Sequence, residues 1–338
     1  MPPKFLNKLV APQLPAAAVG LSRDTASAVL LERRRRRNGV EFELRRAAAI
    51  TLPENLIAPD FDEQNILDTE ELADALAELV TSAGLARQRK WSVALPEAAT
   101  RTAILTLEGD QQTSRAETEE LLRWKSERAF GVPLDELRVR RERLAPDARG
   151  RARFLAAGVR LSVVAEYEAV FMRLGWQAGL ILPRHVGEAR WLMPQTAGRS
   201  ASNGGGDALL VSSHAAGFTA VLLHGAQPLI VRAVSCDEED CADELYRLLL
   251  FYRDRAAAKD VDPANEAGET MLRRLLVVGG NGGESVLSRE RVSEVVNETL
   301  GANVRALDAA AIGLTLPPGE LNFDDLAAPA GLATLAWQ

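Results

Sequence analysis

One stretch constrains this chain more than any other: "QTAGRSASNGGGD", Gln195 to Asp207. Glycine and serine at this density make a flexible connector, not an element of a packed core. The same order of signals recurs on either side of it. On the N-terminal side a strand is predicted over Ala17 to Leu31. It leads into "ERRRRRNGVEFEL", where Asn38-Gly39 is a hairpin signal and Val40 to Leu44 alternates apolar with acidic. Residues 45 to 67 read as a third strand and a loop holding Pro53 and Pro59. On the C-terminal side, strands are predicted over Ala208 to Val211 and Phe218 to Leu223. A turn at His224-Gly225 and a strand over Pro228 to Val234 follow. Each half opens on a β-meander and continues into helices, which points to two similar α/β halves. A length of 338 residues suits two domains, or one with an insertion. No short-period repeat is visible.

The helices carry clear end signals. Asp68 with Glu71 reads as a capping box before Leu72, Leu76, Leu79 and Val80, and Gly84 ends that helix. Trp91 to Pro96 and Thr102 to Leu107 read as short strands. Ser114 with Glu117 is a second capping box, opening "SRAETEELLRWKSERAF". "LDELRVRRERL" and "RARFLAAGV" read as strands. "LSVVAEYEAVFMRLG" is a helix capped by Ser162 and stopped by Gly175. Further helices are predicted over Asp240 to Ala257, Ser288 to Leu300 and the tail "APAGLATLAWQ".

Composition excludes several classes. A hydrophobic share of 47% supports a real core, whereas a net charge of −7 argues against a general nucleic-acid binder. No apolar run reaches the roughly 18 to 20 residues needed to span a bilayer. The start lacks a clean cleavage pattern, so no signal peptide is read. Two cysteines, in "CDEEDC", make no disulfide framework and suggest a reducing compartment. The localisation read from these features is cytoplasmic, with membrane attachment through a partner or a surface patch.

Several residues invite chemistry. In "LLVVGGNGG" (275–283) a buried-type strand runs into Gly279, Gly280, Gly282 and Gly283. Such a turn serves either as a tight strand-to-helix connection needing positive φ or as a nucleotide contact. Arg33 to Arg37 is a solvated hairpin tip, whose charge blunts edge pairing, or a lipid-headgroup contact at about 1 kcal/mol per residue. Trp124 is a half-buried packing residue or part of a partner groove. His185, His214 and His224 are too scattered for a zinc pattern or a Ser-His-Asp arrangement.

Several segments, taken in order, resemble the type IV pilus assembly protein PilM family, with its relative FtsA, in the actin-like ATPase superfamily. They are "AVGLSRDTASAVLLE" (18–32), "LDTEELADALAELVTSAGL" (67–85), "KWSVALPEAATRTAILTL" (90–107) and "ETEELLRWKSERAFGVPLDELRV" (117–139). "ELYRLLLFYRDR" (244–255), "LRRLLVVGGNGG" (272–283) and "APAGLATLAW" (328–337) complete the set. The resemblance implies an α/β fold: the actin-like ATPase (ribonuclease H-like) two-domain architecture with an inserted small αβ subdomain. It places a first domain at 14–90 plus 177–196 and an SHS2-like insert at 91–176. A linker at 197–206 and a second domain at 207–338, with a reduced outer subdomain, follow.

The departures from the family pattern are specific. Its first phosphate hairpin reads roughly Gly-Ile-Asp-Ile-Gly-Ser; here Gly20, Leu21, Ser22, Arg23, Asp24 and Thr25 stand there. The metal-side Asp is Ser22, and a glycine is Asp24, whose carboxylate would repel phosphate. The second hairpin, roughly Val-Asp-Ile-Gly, is Val211, Ser212, Ser213 and His214. The glycine turn is then the residual adenine side of a nucleotide cleft. The resemblance implies ATP as cofactor. Loss of both carboxylates points instead to a pseudo-ATPase with no metal and no catalytic residues. Asp24 or Asp207 holding Mg²⁺ from a shifted position is the alternative, a divergent Mg-ATP-dependent ATPase or kinase. As a scaffold, such a protein binds the N-terminal cytoplasmic peptide of a PilN-like bitopic membrane protein. The groove for it lies between the first domain and its insert. Pilus platform and motor components are further implied partners, as is a homo-oligomer; nucleic acid is not. The implied place is peripheral at the inner membrane.

Overall fold

The computed structural model describes residues 14–36, 39–108, 114–147, 149–193, 206–257, 272–279, 286–301, 303–319 and 321–337. Strands β1 (Ala17–Leu21), β2 (Thr25–Arg36) and β3 (Gly39–Thr51) form an antiparallel meander. β4 (Lys90–Leu95) then adds parallel to β1. After the connector the pattern repeats. β9 (Asp207–His214), β10 (Gly217–His224) and β11 (Gln227–Ser235) form a second meander, and β12 (Leu272–Val278) adds parallel to β9. The orders β3-β2-β1-β4 and β11-β10-β9-β12 are the same topology twice. The first sheet is extended by β8 (Gln177–Pro183) beside β4 and by β13 (Leu314–Thr315) beside β3.

Between β4 and β8 the chain builds a separate three-stranded sheet of β5 (Arg101–Leu107), β6 (Leu137–Leu144) and β7 (Ala152–Arg160), in the order β5-β7-β6. Helix α2 (Arg115–Phe130) buries Leu122 and Phe130 against it. Its capping box is complete: Ser114 Oγ accepts from Glu117 N, and the Glu117 carboxylate accepts from Ser114 N. The insert reaches the second half at two hydrogen bonds. Ala145 N donates to Gln227 Oε1 at 2.9 Å, and Arg153 Nη2 donates to Pro228 O at 2.7 Å.

Helices α1 (Thr69–Ser82) and α3 (Leu161–Arg173) cover the outer face of the first sheet, burying Leu72, Leu76, Val163 and Tyr167. Helices α5 (Glu238–Ala257) and α6 (Arg289–Leu300) cover the outer face of the second. Between the two sheets lie the short α4 (Arg184–Ala189) and α7 (Phe323–Ala333), whose core joins Ala18 and Val29 to Leu210 and Leu276. These helices cross at two glycines. A Cβ on Gly187 would stand 2.2 Å from Ala328 O, and one on Gly331 would stand 1.9 Å from Gly187 O. Only hydrogen fits there, so backbone packs on backbone.

Five details differ from expectation. The strand read over Ala17 to Leu31 is two strands, because the Ser22 hydroxyl closes a turn: it accepts from Thr25 N at 2.9 Å and donates to Thr25 O at 3.1 Å. The strands read over 40–44 and beyond 45 are one, β3, with a register shift at Leu30/Leu31 in its partner. Helix α3 starts at Leu161, and its N-cap is Arg160, without a side-chain bond. Cys236 and Cys241 are joined in a disulfide. The end of β11 folds directly into α5 and brings their Cα atoms to 5.5 Å, within bridging range. Trp124 is exposed at 52%, with the Arg128 guanidinium over its ring. Among the described residues, no helix is long and apolar enough to cross a membrane. The turn residues Arg37 and Asn38 lie outside the described residues.

Candidate functional site

Two concave places bear on function. The first is the cleft of about 340 Å³ between the halves, lined by the turns of both hairpins: Ser22 and Arg23 from one, His214, Ala215 and Ala216 from the other. The sequence-predicted residues fall around it as follows. Ser22 and Thr25 spend their hydroxyls on each other, 2.8 Å apart. Asp24 accepts from Leu52 N through its carbonyl at 2.7 Å, and its carboxylate sits 4.0 Å from Arg23 Nε. Gly20 lies under α7: a Cβ there would meet Pro329 Cδ at 2.8 Å and Ser27 Oγ at 2.9 Å. Its close approach is to a helix of its own chain. Ser212 is buried in β9 between Thr219 and Val278, and Ser213 Oγ accepts from Leu287 N at 3.1 Å.

Gly279 has φ +88°, and a Cβ on it would stand 2.3 Å from Ser213 O. The first glycine of the turn thus answers to the chain itself in its conformation. Gly280, Gly282 and Gly283 lie outside the described residues, as does most of the connector at 197–206. Asp207 stands at the far end of β9 from the hairpin turn, about 20 Å away at strand rise. Its oxygens are held by His224 Nδ1 at 2.7 Å and the Tyr252 hydroxyl at 2.6 Å.

The centre of the cleft is a charge network that the sequence did not disclose. Glu97 opens the 3₁₀ turn after β4, and His185 begins α4. His185 N donates to Glu97 Oε1 at 2.8 Å, and His185 Nδ1 lies 2.9 and 2.7 Å from the two carboxylate oxygens. Thr219 of the second half adds a bond at 3.4 Å. Burial alone would push the Glu97 pKa up. The charge and hydrogen bonds of His185, with the charge of His214, outweigh it and hold Glu97 below the ordinary carboxylate value. Burial likewise opposes charge on His185, but Glu97 and then Glu188 raise its pKa. The two form a buried ion pair. Arg184 follows the same logic: burial opposes its charge, and Glu188, 2.9 Å from its Nε, raises its pKa. His214 goes the other way. Burial lowers its pKa first; the pull of Glu97 opposes this, and Arg184 and His185 reinforce it. On α7, Asp324 accepts from Arg289 Nη2 at 3.2 Å; burial raises its pKa against the pull of Arg289.

This arrangement pairs Glu97 with His185 and Arg184 with Glu188, and leaves Nε2 of His185 and of His214 without a partner among the described residues. Hairpin 1 offers hydroxyls already bonded within the turn where a hydrated metal ion would need a carboxylate. The cleft's buried carboxylate, Glu97, is already bonded to His185. Among the described residues no set of three or more His, Cys, Asp or Glu side chains is placed to hold a metal.

The second place is a groove between the first sheet and the insert. β8 is the terminal strand of the six-stranded sheet, with Gly179 exposed and Leu180, Ile181 and Leu182 partly so. Opposite it stand Val159 of β7, Val164 of α3, and Arg138 and Arg140 of β6. Arg138 is paired with Glu168. The Arg140 guanidinium makes no bond or ion pair among the described residues.

No protein-family model matches the sequence, and no curated protein matches it. Solved structures do. A chain of the "PilM-PilN type IV pilus biogenesis complex" superposes with a TM-score of 0.64 at 17% identity, covering 96% of this chain and 98% of that one. The chain has the actin-like ATPase fold. The cytoplasmic domain of EpsL, an inner membrane component of the type II secretion system of Vibrio cholerae, matches at 12% identity and a TM-score of 0.43. It covers 95% of this chain and 93% of that one. A Bacteroides thetaiotaomicron protein described as having an actin-like ATPase fold matches at 11% identity and a TM-score of 0.41, covering 94% and 96%. In the actin-like fold of this chain, the repeated meanders supply the two hairpins, and α4, crossed by α7, brings Arg184 to the cleft.

Proposed function

We propose that this protein is a PilM-like scaffold of a type IV pilus or related secretion platform, using the β8 groove to bind the cytoplasmic N-terminal peptide of a PilN-like membrane protein. The observation that carries this reading is the groove: an open strand edge, an apolar floor and an unpaired cation, at the junction of first domain and insert. An extended peptide gains affinity from main-chain bonds to such an edge and specificity from pockets for alternate side chains. The likeness to a chain of the PilM-PilN complex over nearly all of both chains supports it. In this reading residues 14–90 with 177–196 form the first domain, 91–176 the insert, 197–206 the linker and 207–338 the second domain. The protein sits at the cytoplasmic face of the inner membrane through its partner. The cleft is that of a pseudo-ATPase, its Glu97–His185 pair fixing the wall of the first half, to which Thr219 of the second half bonds through Glu97.

The test uses the full chain and the gene neighbourhood. Synthetic peptides covering the cytoplasmic N-termini of single-pass membrane proteins encoded nearby are labelled and titrated by fluorescence anisotropy. One of them binds wild type, and Ile181→Asp loses that binding while keeping its fold by circular dichroism. If none binds a folded protein, or binding survives Ile181→Asp unchanged, the reading fails.

A further inference from the structure

The groove also prescribes the chemistry of what it takes. The charged side chains lining it are Arg138 and Arg140, both on β6. Among the described residues, Arg138 is neutralised by Glu168 and Arg140 has no such partner. No carboxylate among the described residues lines the groove, although the chain as a whole carries a net charge of −7. Arg140 therefore sits as an unanswered guanidinium beside Ile181, Leu182 and Val159, on the wall facing the open edge of β8. A guanidinium beside apolar surface is a strong partner for a carboxylate, because both its geometry and the reduced screening favour a forked pair.

Resting on the reading of the groove as a peptide site, we propose that its ligand is an extended segment with an acidic residue two positions from an apolar one. The spacing follows from strand geometry. A segment added along β8 points alternate side chains to the same side, so those facing the β6–β7 wall recur every second residue. One such position meets the apolar floor of Val159, Val164 and Ile181. The next, about 7 Å along, meets Arg140. A basic residue there would be repelled, which gives discrimination as well as affinity.

The experiment is a selection of random twelve-residue peptides displayed on phage against the full chain, wild type and Arg140→Glu. Wild type enriches Asp or Glu at two residues from Leu, Ile or Val, and Arg140→Glu enriches Lys or Arg at that place. A synthetic selected peptide then loses about tenfold in affinity on Glu→Gln for wild type, the scale of one charge-assisted bond. For Arg140→Glu the same change costs nothing. Peptides that bind the groove with no acidic preference, or a Glu→Gln change within twofold on wild type, overturn this inference and leave the peptide site standing. Failure of any peptide to bind folded wild type overturns both.

Discussion

The cleft and the groove are both concave, and they differ in what their polar groups are already doing. In the cleft, Ser22 is bonded to Thr25, Glu97 to His185, and Arg184 to Glu188. In the groove, among the described residues, the edge of β8 pairs with no further strand and Arg140 makes no bond or ion pair. Most of the cleft's polar groups are therefore engaged within the chain, His214 Nε2 being a buried atom on its wall with no partner among the described residues.

The comparison can be broken most decisively at Glu97. If the cleft is held by its own charges, Glu97→Ala leaves the buried His185 uncompensated and costs about 3–5 kcal/mol, read from urea denaturation. A cost below about 1 kcal/mol, ordinary for a surface site, would show that the pair does not hold the cleft wall. A smaller effect comes from pH. The raised pKa of His185 gives stability that is fully present below its unfolded value and fades as pH rises through the folded one. The lowered pKa of Glu97 gives stability present above its unfolded value and lost as pH falls through the folded one. The pair thus contributes most between about pH 4.5 and 6.5. Melting temperature followed against pH falls on both sides of that window in wild type, and Glu97→Gln flattens it. A profile unchanged by the substitution removes the pair from the account. The smallest expected effect is none: millimolar Mg-ATP leaves the melting temperature where it was. A micromolar site would instead add about 4 kcal/mol, and a Mg²⁺-dependent shift of that size would restore the ATPase alternative.

Much of the fold was legible. Asp68, the Ser114–Glu117 box, Gly84 and Gly301 end helices as read, because caps are local chemistry. The repeated meander was legible for the same reason. The Ser22 turn was missed within one long strand because a side-chain hydroxyl, not a glycine or asparagine, closes it. Helix α4 was missed because six residues show no periodicity. The site was far less legible. Glu97, His185, His214 and Asp324 come from four separate stretches, and only the crossing of α4 with α7 and the facing of the two hairpins bring them together. The arginines of β6 were visible as an exposed-face pattern, but that one is neutralised and the next is free depends on Glu168 in another helix. Cys236 and Cys241 needed the turn into α5 to be seen as neighbours.

The glycine crossing beneath the cleft sets a different kind of limit. At the first hairpin the Ser22 hydroxyl stands where the family resemblance expects a carboxylate, and β1 and β2 pair on either side of it all the same. At Gly187 and Gly331 no side chain of any kind fits, whatever the cleft binds. The crossing therefore sets how closely the two sheets approach, independently of what the hairpin turns carry.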